Sequence, residues 1–133
     1  MIFALDSNII SYILKDDRGV VDRYYQETSN GNGFVIPPIA FYEVQRWLFK
    51  KNLSVKQRAF DNFCNALEIG EFSYSVLLEA ANIYADLENR GQMIDDGDIF
   101  IAAFCLVNDY PLVTNNMRHF ERISGLKLVN WKE

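Results

Sequence analysis

Histidine occurs once in these 133 residues, as His119, and cysteine twice, as Cys64 and Cys105. So small a set excludes a zinc site built from Cys and His at ligand spacing, and any metal site that needs several histidines. A Ser-His-Asp triad is disfavoured too, because the lone histidine would have to lie beside both a nucleophile and a buried carboxylate. The two cysteines fall among apolar neighbours within predicted helices and read as small buried hydrophobes. No apolar run approaches the roughly 20 residues that span a bilayer. The opening Met1-Ile2-Phe3-Ala4-Leu5-Asp6 is too short an apolar run for a secretory signal and has no positive leader. A soluble, cytoplasmic protein with no membrane partner is expected. Neither a Walker loop nor a dinucleotide glycine motif occurs, which disfavours nucleotide binding by a phosphate loop.

Positive charge is also scarce: the net charge is −5, which argues against a protein that grips nucleic acid through a broadly basic surface. What is abundant is apolar material. Half of the residues are hydrophobic and 14% are aromatic, so disorder is excluded and one core over 1–133 is expected. The 18 acids either solvate the surface or gather in part at one site to hold a cation. Their positions decide.

Short apolar runs alternate with longer amphipathic ones. Ile2 to Leu5 reads as a buried strand ending at Asp6, and Ser7 to Leu14 as a helix stopped by Asp16-Asp17-Arg18-Gly19. Val20 to Gln26 predicts a second helix, ended by the turn-prone Ser29-Asn30-Gly31-Asn32-Gly33. The strand Phe34 to Ile36 meets Pro37-Pro38, which leads into a helix from about Ile39 to Lys51, since proline is tolerated in a helix's first turn. Ser54 to Glu68 reads as a helix with Ser54 as N-cap, followed by a short strand near Ile69 to Phe72 and a helix from Ser75 to Asn89. Asp96-Gly97-Asp98 opens a helix through Val107, then Leu112-Val113 and Leu126 to Val129 complete the strands. Strands separated by helices imply parallel crossovers, hence a three-layer α/β/α sandwich around a mainly parallel sheet. Ligands of such sheets collect beyond the carboxyl ends of the strands, where the strand order reverses.

Four polar positions converge on that end. Asp6 directly follows the first strand, where it either caps the next helix or faces a ligand. Glu43 lies between Ala40 and Trp47 by helical angle, at the edge of the apolar stripe; an acid there also favours the helix dipole. Asp98 stands three and four residues before Ile101 and Ala102, on the inward stripe, although it too could be a capping acid. An inward charge is costly unless something pairs with it, and a cation is the natural partner. Thr114-Asn115-Asn116 puts neutral oxygens at the end of another strand, in a sequence that is also typical of turns. Oxygen ligands without Cys or His suit Mg2+ or Mn2+. Spacing thus points to a metal-assisted hydrolase and gives no substrate.

The pieces Ile2-Phe3-Ala4-Leu5-Asp6-Ser7-Asn8, Glu43, Asp98-Ile99-Phe100-Ile101-Ala102-Ala103 and Leu112 to Ile123, followed by Gly125-Leu126 and Asn130-Trp131, resemble the PIN-domain ribonucleases of the VapC toxin type in order and spacing. The resemblance implies a PIN sandwich that cleaves RNA endonucleolytically with Mg2+, with Mn2+ as a substitute. A homodimer and a cognate antitoxin protein that blocks the site are implied as well. By this match Asp6, Glu43 and Asp98 are the three catalytic, metal-holding acids. Asn116 matches a fourth position that is often Asp, and Asp96 is an assisting acid rather than a primary ligand. Ser7, Asn8 and Thr114 would hold the carboxylates in place.

RNA must approach such an acidic chain through local cations. Lys15, Arg46 and Arg118 are the candidates, with Lys50 and Lys51 beside them, and all of them also read as solvated surface charge. Tyr24, Tyr25, Phe49, Phe60 and Phe63 are offered either as a dimer or antitoxin surface or as core. Two rivals stand beside this reading. A phosphoacceptor receiver domain lacks its paired acid after the first strand and its late Lys. A catalytically silent PIN scaffold that only binds RNA or protein would not need all three acids.

Overall fold

The apolar run Ile2–Leu5 forms β1, and four further strands align with it in parallel: β2 (Gly33–Ile36), β3 (Glu68–Ile69), β4 (Leu112–Val113) and β5 (Leu128–Val129). This computed structural model describes residues 1–132, so Glu133, the last residue of the expected 1–133 domain, lies outside the described residues. The strand order is β3-β2-β1-β4-β5, with Phe3 opposite Phe34 and Leu5 opposite Val113. Seven helices connect them: α1 (Ser7–Leu14), α2 (Arg18–Ser29), α3 (Pro38–Lys51), α4 (Ser54–Asn65), α5 (Tyr74–Asn89), α6 (Asp96–Asn108) and α7 (Met117–Phe120).

Handedness sorts these helices into layers. Right-handed crossovers that step from β1 to β2 to β3 put α1 to α4 on one face. The return to β4 and β5 puts α5 to α7 on the other. The packing agrees: α1, α3 and α4 touch one another, as do α5, α6 and α7 in sequence. This is the three-layer α/β/α architecture expected from the alternation. The order reverses at β1, whose neighbours β2 and β4 lead away in opposite directions, so the crevice lies where β1 and β4 end.

Several local expectations need correction. Asp17 caps α2, its carboxylate accepting from the Val20 amide at 3.2 Å, so that helix starts at Arg18 instead of Val20 and runs to Ser29. Ser54 is the first residue of α4 and not its N-cap; Leu53 holds that place without a side-chain bond, and the helix ends at Asn65. Ser73 is a true cap, accepting from the Val76 amide at 3.1 Å, which begins α5 at Tyr74. The strand near Ile69 is Glu68–Ile69 and the last one Leu128–Val129, because only those residues lie opposite partners in the ladder. The short helix α7 was unexpected. Its four residues are too few to show periodicity.

The core fills both faces of the sheet. α6 contributes most, with Ile99, Ile101, Ala102, Ala103, Phe104 and Cys105 all buried, while Leu106 is half-buried. A helix buried nearly all round is what a layer sandwiched between sheet and α5 requires. Gly70 allows the ring of Phe104 to pack on bare backbone; a Cβ there would lie 2.2 Å from Phe104 Cζ. Phe60 is fully buried, Tyr24 is half-buried against Phe34 and Phe63 half-buried against Tyr24, which places these three in the core and leaves only Tyr25 and Phe49 at the surface. Cys105 is buried and Cys64 half-buried; burial pushes the Cys64 thiol up to about 11 and that of Cys105 up as well, so neither is a nucleophile at neutral pH. No helix among the described residues is long and apolar enough to cross a membrane.

Candidate active site

Asp6 occupies the crevice at the switch in strand order. Its backbone N–H donates to Val113 O at 3.0 Å, which fixes the end of β1 against β4. Its side chain is 4% exposed and, with Thr114, is one of two buried polar side chains among the described residues. Both carboxylate oxygens are engaged. Oδ1 accepts from the Ser7 amide at 2.8 Å, and Oδ2 from the Thr114 hydroxyl at 2.7 Å. Asp6 is therefore both the N-cap of α1 and an inward acid, so the two readings open in the sequence coexist. Thr114 Oγ1 in turn accepts from the Asn116 amide at 2.9 Å, which orders the loop after β4.

Burial pushes the Asp6 carboxyl up to about 6. The Thr114 and Ser7 hydrogen bonds oppose that rise, and the charges of Asp98 and Glu43 add to it. Glu43, on α3, is likewise raised by burial, against the lowering effect of the Ser7 hydroxyl and with a further push from Asp98. Asp6, pushed by Asp98 and Glu43, and Glu43, pushed by Asp98, thus share one electrostatic site with Asp98. Glu43 can lean that far because Gly97, in the first turn of α6, has no side chain: a Cβ there would sit 3.2 Å from Glu43 Oε2. Asp98 follows on the same turn and is mostly buried, its side chain 15% exposed. Its Oδ2 receives two groups, His119 Nδ1 at 2.9 Å and Asn116 Nδ2 at 3.5 Å.

The supporting residues divide. Ser7 and Thr114 touch the carboxylates as expected. Asn8 does not: its Oδ1 accepts from the Asn115 amide at 3.3 Å, so it pins the β4 loop to α1 rather than an acid. Asn115 extends that link to the Tyr12 hydroxyl at 3.2 Å. Asn116 meets Asp98 and His119 by its amide nitrogen, at the edge of the site. Asp96 is exposed and shares with Glu43, Arg46, Asp95 and Asp98 the wall of a depression of about 380 Å³. His119 is the residue that the sequence reading passed over. The signal was its position, three residues after Asn116 and so on the same face of any helical turn.

A larger cleft of about 700 Å³ opens on the other side of Glu43, between α1 and α3. Its polar floor is Ser7, Ser11 and Glu43, and its rim carries Lys15, Arg46 and Lys50. Lys15 Nζ lies 5.5 Å from the ring centre of Trp47, which lines the cleft, while Arg46, 5.1 Å from the Tyr42 ring, borders both this cleft and the smaller depression. Arg118 is exposed on α7, outside the lining of either hollow, so of the candidate RNA contacts only Lys15 and Arg46, with Lys50, line the approach.

Among the described residues no three His, Cys, Asp or Glu side chains stand close enough to cage an ion by themselves. The donor set of carboxylates around a wet cleft suits an ion that keeps much of its own water, and Mg2+ is of that kind.

A family model described as PIN domain matches residues 3–126. Ribonuclease VapC2 of Rickettsia felis is 33% identical over 98% of both chains. The crystal structure of VapBC2 from Rickettsia felis, bound to a DNA fragment from its promoter, superposes with a TM-score of 0.90 at 30% identity, covering 99% of this chain and 100% of the other. The tRNA(fMet)-specific endonuclease VapC of Salmonella typhimurium is 24% identical over 97% of both chains.

Proposed function

The chain belongs to the PIN-domain family, and from that premise we propose that it is a cytoplasmic Mg2+-dependent endoribonuclease, the toxin of a toxin–antitoxin pair. The observation that carries this reading is the clustering of Asp6, Glu43 and Asp98 at the sheet's switch point, where Asp98 and Glu43 push the Asp6 carboxyl up and Asp98 pushes that of Glu43, in acids that have no lysine or arginine bonded to them among the described residues. Asp6 and Asp98, with Glu43, would hold the cation. Bound there, it would supply Lewis-acid activation of water and neutralise charge at the phosphate under attack. Mn2+ has the same preference for oxygen ligands and would substitute.

The chain's own residues do the rest. Thr114 and the Ser7 amide fix the Asp6 carboxylate in one orientation, so its charge costs no reorganisation when substrate arrives. Lys15, Arg46 and Lys50 offset the repulsion that a net charge of −5 imposes on RNA, and draw its phosphates along the α1–α3 cleft towards Glu43. A cognate antitoxin protein would silence the site by covering that cleft. The homodimer is proposed to form on α5, where Tyr74, Leu77, Leu78 and Tyr84 recur at helical spacing and remain exposed, Tyr74 by 76%. Leu77→Glu with Leu78→Glu should then leave a monomer by light scattering.

The decisive test is cleavage of an RNA pool that includes an initiator tRNA, with Mg2+ or EDTA, beside Asp98→Asn. Discrete cuts that need both metal and Asp98 are expected. Cuts that persist in EDTA, or in Asp98→Asn at the wild-type rate, would overturn the metal assignment. A folded, antitoxin-free protein that binds RNA without cutting it would favour the silent scaffold.

A further inference from the structure

Asp98 is the acid of the site with the least help from its own helix. It stands in the first turn of α6, and the capping residue Asp95 makes no side-chain hydrogen bond there. Its restraint comes from α7. His119 Nδ1 lies 2.9 Å from Asp98 Oδ2, and Asn116 Nδ2 lies 2.9 Å from the same ring nitrogen. An imidazole nitrogen has one in-plane position, so Nδ1 either donates to Asp98 or accepts from Asn116. A lone pair on Nδ1 would face those of a carboxylate at hydrogen-bond distance, which is repulsive. The proton therefore sits on Nδ1 and points at Oδ2, a charge-assisted bond, and the Asn116 amide then donates to Asp98 Oδ2 and not to the ring.

The platform that carries the ring is rigid. Phe120 is fully buried beside it and Ile123 is 6% exposed. Arg122 donates to Met93 O at 2.9 Å, which ties the end of α7 to the loop that leads into α6. The two helices are thus locked together a few residues from the contact itself.

We propose that His119 is a positioning residue for Asp98. It holds one carboxylate oxygen through Nδ1–H, so that the other is presented to a divalent cation in a fixed orientation. This rests on the metal reading above. It adds a group which touches neither substrate nor ion and works through Asp98 alone, in the way that groups behind a ligand set its orientation and commonly change metal affinity by about 10- to 100-fold.

The geometry supplies its own controls. Asparagine places an amide nitrogen where Nδ1 stands, whereas glutamine reaches only to the position of Nε2. Mn2+ binding to the purified protein, read by calorimetry and by the spin-resonance signal of free Mn2+, is expected to weaken about tenfold in His119→Ala and His119→Gln. His119→Asn should recover most of that loss. Cleavage by His119→Ala should return towards the wild-type rate when Mg2+ is raised, since the defect lies in occupancy. His119 is a surface-accessible side chain, 37% exposed, so melting temperatures should stay close to that of the wild type.

Mn2+ affinity unchanged in His119→Ala but lost in Asp98→Asn would overturn the positioning role and keep the metal reading. Affinity unchanged in Asp98→Asn as well would remove the metal reading and this proposal with it. Recovery by glutamine and not by asparagine would mean that the ring acts through its outer nitrogen, and would also overturn the proposal.

Discussion

Asp17 and Asp86 each stand against a cation of their own, Lys132 Nζ at 2.6 Å and Arg90 Nη2 at 2.7 Å, whereas Asp6 and Glu43 have no such partner among the described residues and stand in one cluster with Asp98, which of the basic side chains only His119 meets. The hydrogen bond to each partner holds the Asp17 and Asp86 carboxyls below the usual carboxylate range. Burial, and after it the charge of neighbouring carboxylates, holds Asp6 and Glu43 above it. The same residue type therefore does opposite things in two regions. At the surface the chain neutralises its own acids and gains a clamp, with Lys132 drawing the C-terminal segment onto α2's cap and over the Tyr12 ring. At the sheet's end, among the described residues, His119 is the only basic side chain that bonds one of the acids, at Asp98, and the charge of the cluster is left for a cation to relieve. An acid cluster of this kind is destabilising in the free protein and becomes favourable on binding a cation.

The largest expected break in this comparison is chemical. Asp98→Asn should lower RNA cleavage by roughly a thousandfold, since an ion misheld by one carboxylate forfeits several kcal/mol of transition-state stabilisation. Asp17→Asn, which keeps the capping oxygen but loses the charge pair, should leave cleavage unchanged in the same assay.

Stability should respond in the opposite sense. A carboxyl raised from 3.8 to about 6 is held neutral by the fold, so its contribution is fully present below pH 3.8 and is lost as pH rises through 6. That amounts to about 3 kcal/mol at neutral pH in the metal-free protein. Asp6→Asn should therefore melt above the wild type at pH 7 in EDTA, and the gap should close between pH 6 and pH 4. Mg2+ should raise the melting temperature of the wild type and not that of the variant. A wild type that is the more stable of the two at pH 7 in EDTA would contradict the reading of Asp6 as a strained acid. Asp17 and Asp86, with lowered values, are ionised throughout that window and leave it clear.

Gly97→Ala separates packing from propensity. Alanine favours a helix over glycine by about 1 kcal/mol, yet its Cβ would crowd Glu43 Oε2 at 3.2 Å. Cleavage should fall by about tenfold with the fold intact, in keeping with the cost of displacing a catalytic group by a fraction of an ångström. Unchanged kinetics would mean that Glu43 does not need that approach.

The smallest effect concerns the cleft. Lys15→Ala or Arg46→Ala should weaken RNA binding uniformly across sequences and reduce the slope of log affinity against log salt by about 0.7 each. Arg118→Ala, outside the cleft, should not change that slope.

Much of this was legible residue by residue. Asp6 could be placed at a strand's end because Ile2 to Leu5 is an unbroken apolar run, and α3 could be started correctly within a residue because Pro37-Pro38 permits only a first turn. Asp98 was assigned inward from its spacing to Ile101 and Ala102, both of which are fully buried. Periodicity failed where elements are short or caps compete. Two residues of β3 and four of α7 carry no repeat, and Asp17 and Ser73 were recognisable as caps only once the helices behind them were built. The aromatics show the same limit from the other side: nothing local separates buried Phe60 from exposed Phe49.

By itself, then, the sequence determined the alternation of strands and helices, the parallel sheet, and an acid at a strand's end, one at the edge of a helix's apolar stripe and one on the inward stripe of another. These follow from repeats of two and 3.6 residues that any short window contains. Only the tertiary structure decided which groups meet. Thr114 reaches Asp6 across 108 residues because β4 pairs with β1, and Glu43 reaches the first turn of α6 because α3 and α6 converge at a glycine. His119 reaches Asp98 because a buried Phe120 anchors the turn that carries it. Such meetings depend on strand order and helix crossings, which arise from handedness and from packing between segments far apart in the chain, and no local pattern encodes them.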